Sequence, residues 1–190
     1  MKPKDQNKER TIIAESLNIV SETGIAGLKM SKLAKQVGIS PSTLYVYFET
    51  KEDLIVSIGL KILKQISTDL DVILDESKSF DQNLKAKWIH MLQFRLNHEK
   101  EINFMENWIQ SPFFDKNFFK EKGKKLKPKT SLFKEGKKKG ILKDLSDSEI
   151  HAIISGMAKQ YATLIKEGQL KMNSETINRS FIVIRDALKK

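Results

Sequence analysis

The chain has 190 residues, a formal net charge of +10, 39% hydrophobic residues and no cysteine. That apolar content is globular rather than disordered, and the lack of cysteine excludes disulfides and thiolate chemistry. The longest apolar runs, such as Phe181–Ile184, fall far short of the roughly 20 residues a bilayer crossing needs. The N-terminus has no apolar stretch of the secretory kind, so a cytoplasmic protein without a membrane segment is expected.

The charge is unevenly placed. Residues 1–51 carry eight basic and five acidic side chains, a balance of +3, whereas residues 120–143 carry eleven lysines against Glu121 and Glu135, a balance of +9. A basic excess suits nucleic acid, but most of it lies outside the segment whose pattern carries a DNA-binding motif. The lysine run reads as a solvated face.

Helical periodicity runs through the chain without a convincing strand pattern. A first helix is expected from about Lys8 to Thr23, with Ile13, Leu17 and Val20 on one face and Gly24 past its end. A short helix follows over 31–37. Ser40-Pro41 then opens another, Ser40 as the cap and Pro41 at the first helical position. A long helix from Lys51 to about Asp75 is striped by Leu54, Ile58, Ile62 and Leu70. Further helices are expected over 81–98, 100–110 and 128–139, then one from the Ser146/Glu149 capping box to about Lys166, and a last one capped by Ser174. The expectation is an all-α chain of about nine helices: a three-helix head over residues 1–52 and a helical-bundle body over residues 53–190, with the long helix joining them.

Residues 29–51 carry the function. A helix-turn-helix needs a small residue where its helices touch, a turn residue that tolerates positive φ, and apolar residues that lock the pair. Ala34, Gly38 and the set Leu33, Val37, Ile39 and Leu44 meet those needs. With Leu44 and Phe48 inward, Ser42, Thr43, Tyr45 and Val46 turn outward, as a recognition helix requires in the major groove. Tyr47 sits at the flank, and Lys51 opens the next helix where a phosphate could lie.

The stretch from Gly27 to Leu54, above all Val37-Gly38-Ile39-Ser40, Thr43-Leu44-Tyr45, Phe48, Lys51 and Leu54, resembles the head of the TetR family of bacterial repressors. The resemblance implies a homodimer whose two heads enter successive major grooves of a near-palindromic double-stranded DNA operator. It assigns base or backbone contacts to Pro41, Ser42, Thr43, Tyr45, Val46 and Tyr47, with phosphate contacts at Lys51 and, near the start of the preceding helix, at Lys29 and Ser31. One departure is visible: the family commonly places threonine where Lys29 and Met30 stand, so the capping hydroxyl is missing. The recognition helix also lacks Arg, Asn and Gln, the strong bidentate base readers, which leaves a large share of specificity to operator shape and half-site spacing.

In the body, Trp88, Met91, Arg95, Phe104, Met105, Trp108, Phe113 and Tyr161 form a candidate pocket for a small, largely apolar effector whose binding releases DNA. Arg95 and Glu106 each fall on an apolar stripe. They are either each other's counter-charge or polar anchors in that pocket, because a lone buried charge is costly. A dimer interface is expected from the last two helices, through Ile154, Ala158, Ala162 and Ile165 and through Phe181, Ile184 and Leu188. No metal-ligand spacing, phosphate loop or nucleophile signature is present, so neither an enzyme nor a cofactor is implied. The competing class is a helical ligand carrier or peripheral membrane protein using the lysine run.

Overall fold

The computed structural model describes residues 5–115 and 132–190. Among the described residues it contains nine helices: α1 (Gln6–Gly27), α2 (Met30–Val37), α3 (Pro41–Tyr47), α4 (Lys51–Ile73), α5 (Phe80–Asn97), α6 (Glu99–Ile109), α7 (Leu132–Lys138), α8 (Asp147–Lys166) and α9 (Ser174–Leu188). The only β pairing among them is an isolated antiparallel bridge between Leu142 and Lys189, so the all-α expectation holds. The first half of the lysine run at 120–143 lies outside the described residues, and only α7 and the turn after it can be placed.

Two compact units divide the described residues: the part up to Gln65 with the part from Glu99 to Asp115, and Ile66–His98 with the part from Leu132 onward. These units group the residues differently from the head over 1–52 and the body over 53–190 that the sequence suggests. The first four turns of α4 belong with the head, and so does α6, which packs along α1. The reason is apolar area. Phe104, Met105 and Trp108 give α6 a stripe that is buried in the same unit as α1, and three short helices alone are too small to build a sizeable core.

Within the first unit, α1 buries Ile12, Ser16, Leu17, Ile19 and Val20. Leu17 and Val20 of the expected face are buried, whereas Ile13 is half-buried and Ile12 beside it is fully buried. Ser16 occupies the core without an orphaned hydroxyl because its Oγ donates to the Ile12 carbonyl at 2.8 Å. The regular helix ends at Thr23, as expected. Gly24, at φ 67°, breaks it and lets a last turn, Ile25–Gly27, set off in a new direction.

In the second unit, Leu84, Trp88 and Leu92 of α5 meet Ile150, Ile154 and Ala158 of α8 and Phe181, Ile184 and Leu188 of α9 in one core. Local signals place the helix starts. Ser79 with Gln82 and Ser146 with Glu149 form capping boxes on α5 and α8. For α9 the cap lies one residue earlier than expected: Asn173 accepts from the Thr176 amide through its side chain, and Ser174 is the first helical residue.

Candidate nucleic-acid interface

Residues 28–48 carry Lys29, Lys32 and Lys35 and no carboxylate. On α2, Leu33 and Ala34 are buried, while Ser31, Lys32 and Lys35 are exposed, as is Lys29 at its N-cap. The missing threonine has the consequence expected of it: no side chain caps α2. The other end is closed by Gly38, which takes the left-handed conformation at φ 73°. The amide of Gly38 returns to Lys35 and that of Ile39 to Ala34, which satisfies the carbonyls that the helix leaves open.

The chain then turns at once into α3. Ser40 Oγ accepts from the Thr43 amide at 3.1 Å and also meets the hydroxyls of Ser42 at 2.9 Å and Thr43 at 2.8 Å. Three hydroxyls are thus ordered at the start of the recognition helix. Leu44 is fully buried and Phe48 nearly so, anchoring α3 to the unit's core. Pro41 and Ser42 are exposed, Thr43 is half-buried, and Tyr45 and Val46 stand out at 48% and 63% exposure. Large side chains held in water while their helix neighbours are buried mark a surface kept for contact.

Tyr47 and Lys51 are held more firmly than the sequence suggested. The Tyr47 hydroxyl accepts from the Asp5 amide at 3.3 Å, which ties the foot of α1 to the recognition helix. Lys51 is half-buried and donates through Nζ to the Ile25 carbonyl at 2.9 Å, in the turn beyond the Gly24 kink. Its ammonium also lies 5.4 Å from the centre of the Phe113 ring. Burial pushes the pKa of this lysine below the ordinary lysine value.

A family model described as bacterial regulatory proteins, tetR family, matches residues 12–58, the stretch that holds this interface. Over those residues the chain is similar to the tetR family of bacterial regulatory proteins. An HTH-type transcriptional regulator of Staphylococcus aureus is 27% identical over 123 residues, covering 61% of this chain and 66% of the relative. An uncharacterized HTH-type transcriptional regulator of Bacillus subtilis is 26% identical over 176 residues, covering 90% of this chain and 91% of its own. The fold is that of a TetR family transcription regulator from Marinobacter aquaeolei VT8, at TM-score 0.89, 19% identity and full coverage of both chains. Residues 12–58 thus resemble the helix-turn-helix segment of these regulators, and the whole chain shares their fold.

The remaining candidate residues, those of the body, are placed less simply. Trp88, Met91, Arg95 and Tyr161 lie in the second unit, and Phe104, Met105, Trp108 and Phe113 in the first. Trp88 is a satisfied core side chain: its Nε1 donates to Ser180 Oγ at 2.9 Å and its ring meets Tyr161 edge-on at 5.9 Å. Met91 and Tyr161 are partly buried at the margin of that core. Phe104, Met105 and Trp108 are buried in the first unit. Arg95 on α5 and Glu106 on α6 are each half-buried, one in each unit.

The residues expected at a dimer interface lie on α8 and α9. Ile154, Ala158 and Ala162 of α8, and Phe181, Ile184 and Leu188 of α9, are buried within the protomer itself, and Ile165 is half-buried. The two apolar faces expected on α8 are one broad stripe, because α5 and α9 pack against it from two sides. The apolar surface that stays open lies elsewhere: Ile182 and Val183 on α9 are 46% and 52% exposed. On α8, Ala152 and Gly156 are exposed, and a Cβ at Gly156 would meet nothing within 4 Å.

Sequence reading missed three features of this site: the exposed Lys32 and Lys35, the Ile25 carbonyl and the Phe113 ring. The charge count of residues 28–48 could have found the lysines. No local signal points to a ring more than sixty residues away.

Proposed function

We propose that the protein binds a near-palindromic double-stranded operator as a homodimer and represses transcription until a small, largely apolar effector releases it. The reading rests on one observation above the others. Tyr45 and Val46 are held in water on a helix whose Leu44 and Phe48 are buried, beside Lys29, Lys32 and Lys35 and without a carboxylate between residues 28 and 48. Lysines contribute phosphate contacts and the release of counterions, while the short hydroxyl and apolar side chains of α3 contribute contacts with base edges and thymine methyl groups. Of the body residues, Met91, Arg95 and Tyr161, beside Trp88, are the candidates for the effector, since pockets between helices need few polar groups to orient what enters. Selection of bound sequences from a random duplex library tests the reading. It should return an inverted repeat whose half-sites are about one helical turn apart. Recovery of unrelated sequences with no repeat would count against it.

A further inference from the structure

Lys51 Nζ is fixed from two directions. The Ile25 carbonyl accepts one of its protons at 2.9 Å, and the face of Phe113 lies 5.4 Å away. Phe113 is itself pinned, because its carbonyl accepts from Trp108 Nε1 at 3.3 Å. The turn that carries it is closed by Ser111 Oγ donating to the Trp108 carbonyl at 2.7 Å and by the edge-on contact of Phe114 with Trp108 at 5.2 Å. Trp108 in turn is seated over Gly59 of α4, where a Cβ would stand 2.1 Å from its ring. All of these groups lie in the first unit.

We propose that Phe113 is a positioning residue for DNA binding: its ring and the Ile25 carbonyl together hold the Lys51 ammonium where α4 begins, so that a side chain outside the helix-turn-helix helps to set affinity for the phosphate backbone. The inference rests on the DNA-contact role of Lys51 proposed above. A free lysine loses rotamer entropy when it orders against a phosphate, at a cost of up to ~2 kcal/mol. Here the stem is already ordered, and one committed donor leaves two N–H groups for a phosphate oxygen. A ring face lowers the cost of holding a partly desolvated ammonium, and a less hydrated charge attracts a phosphate more strongly than one in bulk water. The effector pocket drawn from sequence alone gave Phe113 a different task, and the two tasks make different predictions.

The test is a double-mutant cycle read by fluorescence anisotropy on a fixed labelled duplex, across a salt titration, with urea melts to confirm folding. Phe113→Leu keeps the apolar volume and removes the ring face. It should weaken binding about three- to tenfold in the wild-type background and have no further effect in Lys51→Met. Phe113→Trp, which keeps a ring face, should restore affinity. In the wild-type protein the Lys51 ε-methylene protons, assigned by their absence in Lys51→Arg, should be shifted upfield by the ring, and Phe113→Leu should abolish that shift whether or not the variant binds DNA. Equal weakening by Phe113→Leu in both backgrounds, or no upfield shift, would overturn the inference. A wild-type protein that binds no duplex at all would instead overturn the DNA-contact reading while leaving the methylene shift intact.

Discussion

Gly59 of α4 faces Trp108 of α6 so closely that a Cβ added to the glycine would stand 2.1 Å from the nearest ring atom. Trp108 is 1% exposed, and its Nε1 is occupied by the Phe113 carbonyl, so the ring has little freedom to retreat. Two effects then compete in Gly59→Ala. Helix propensity favours alanine by about 1 kcal/mol, while overpacking a fixed aromatic costs about 1–3 kcal/mol. The clash should win in the wild-type background, with a net loss of about 1–2 kcal/mol in urea unfolding. In a Trp108→Leu background the same change should become stabilising. A stabilising Gly59→Ala in the wild-type protein would mean that α4 and α6 do not pack this tightly.

Gly59 shows where sequence reading stops. Within 28–51 nearly every role was legible, because each is decided by neighbours in the chain. Gly38 must turn, Ser40 caps while Pro41 begins α3, and Leu44 and Phe48 repeat at helical spacing. The missing cap on α2 was legible for the same reason. What stayed hidden depends on partners far along the chain. The pattern of α6 shows two apolar sides but not that α1 takes one of them. The pattern of α8 shows two apolar faces but not that α5 and α9 pack against the helix. The grip on Lys51 joins residues 25, 51 and 113, which no periodicity connects.

Substitutions on α3 and at the start of α4 should separate affinity from preference. Tyr45→Ala removes a side chain 48% exposed and should weaken operator and random duplex alike. Lys51→Ala should do the same and lower the salt slope by about one unit. Ser42→Ala and Thr43→Val act differently, because their hydroxyls are ordered around Ser40 Oγ. They should change which duplexes a random library returns, with about 1–3 kcal/mol of discrimination at the affected base pair. Anisotropy against matched operator and scrambled duplexes checks the four variants. Identical curves for all four and the wild type would remove α3 and Lys51 from the interface.

Stability should fall on mild acidification, and His90 should contribute. Its Nε2 is buried without a hydrogen-bond partner and lies 4.0 Å from Asp69 Oδ2. Burial, with smaller help from Lys87 and His98, pushes its pKa below the ordinary histidine value of 6.5, against an opposing pull from Asp69. The unfolded chain therefore takes up the proton at a higher pH than the folded one. The contribution of His90 is intact above about pH 6.5 and is lost as the pH falls from there toward the folded-state value. His151 is lowered in the same direction, by burial first and then by Lys87 and Arg95, so replacing one histidine removes part of the slope. Urea midpoints at pH 7.5 and pH 5 should lie closer together in His90→Phe than in the wild type. A gap of equal or greater size in the variant would rule out a protonation penalty at this site.

The oligomeric state should depend on side chains that the protomer does not use for itself. Ile182 and Val183 are about half exposed on α9, whereas Phe181 and Ile184, their immediate neighbours, are 9% and 0% exposed in the core. Exposed Ala152 and Gly156, one turn apart on α8, leave room for a close backbone approach. If the proposed homodimer buries these outward sides, light scattering should give a mass near twice 21.8 kDa. Ile182→Glu with Val183→Glu should reduce it to a folded monomer with the wild-type helical signal. Ala158→Glu is the contrasting variant. Ala158 has no exposed surface, so a carboxylate there has neither water nor a partner and should unfold the second unit. A double Ile182/Val183 variant that stays dimeric, or a wild-type protein that is monomeric at micromolar concentration, would show that this surface is not where two copies meet.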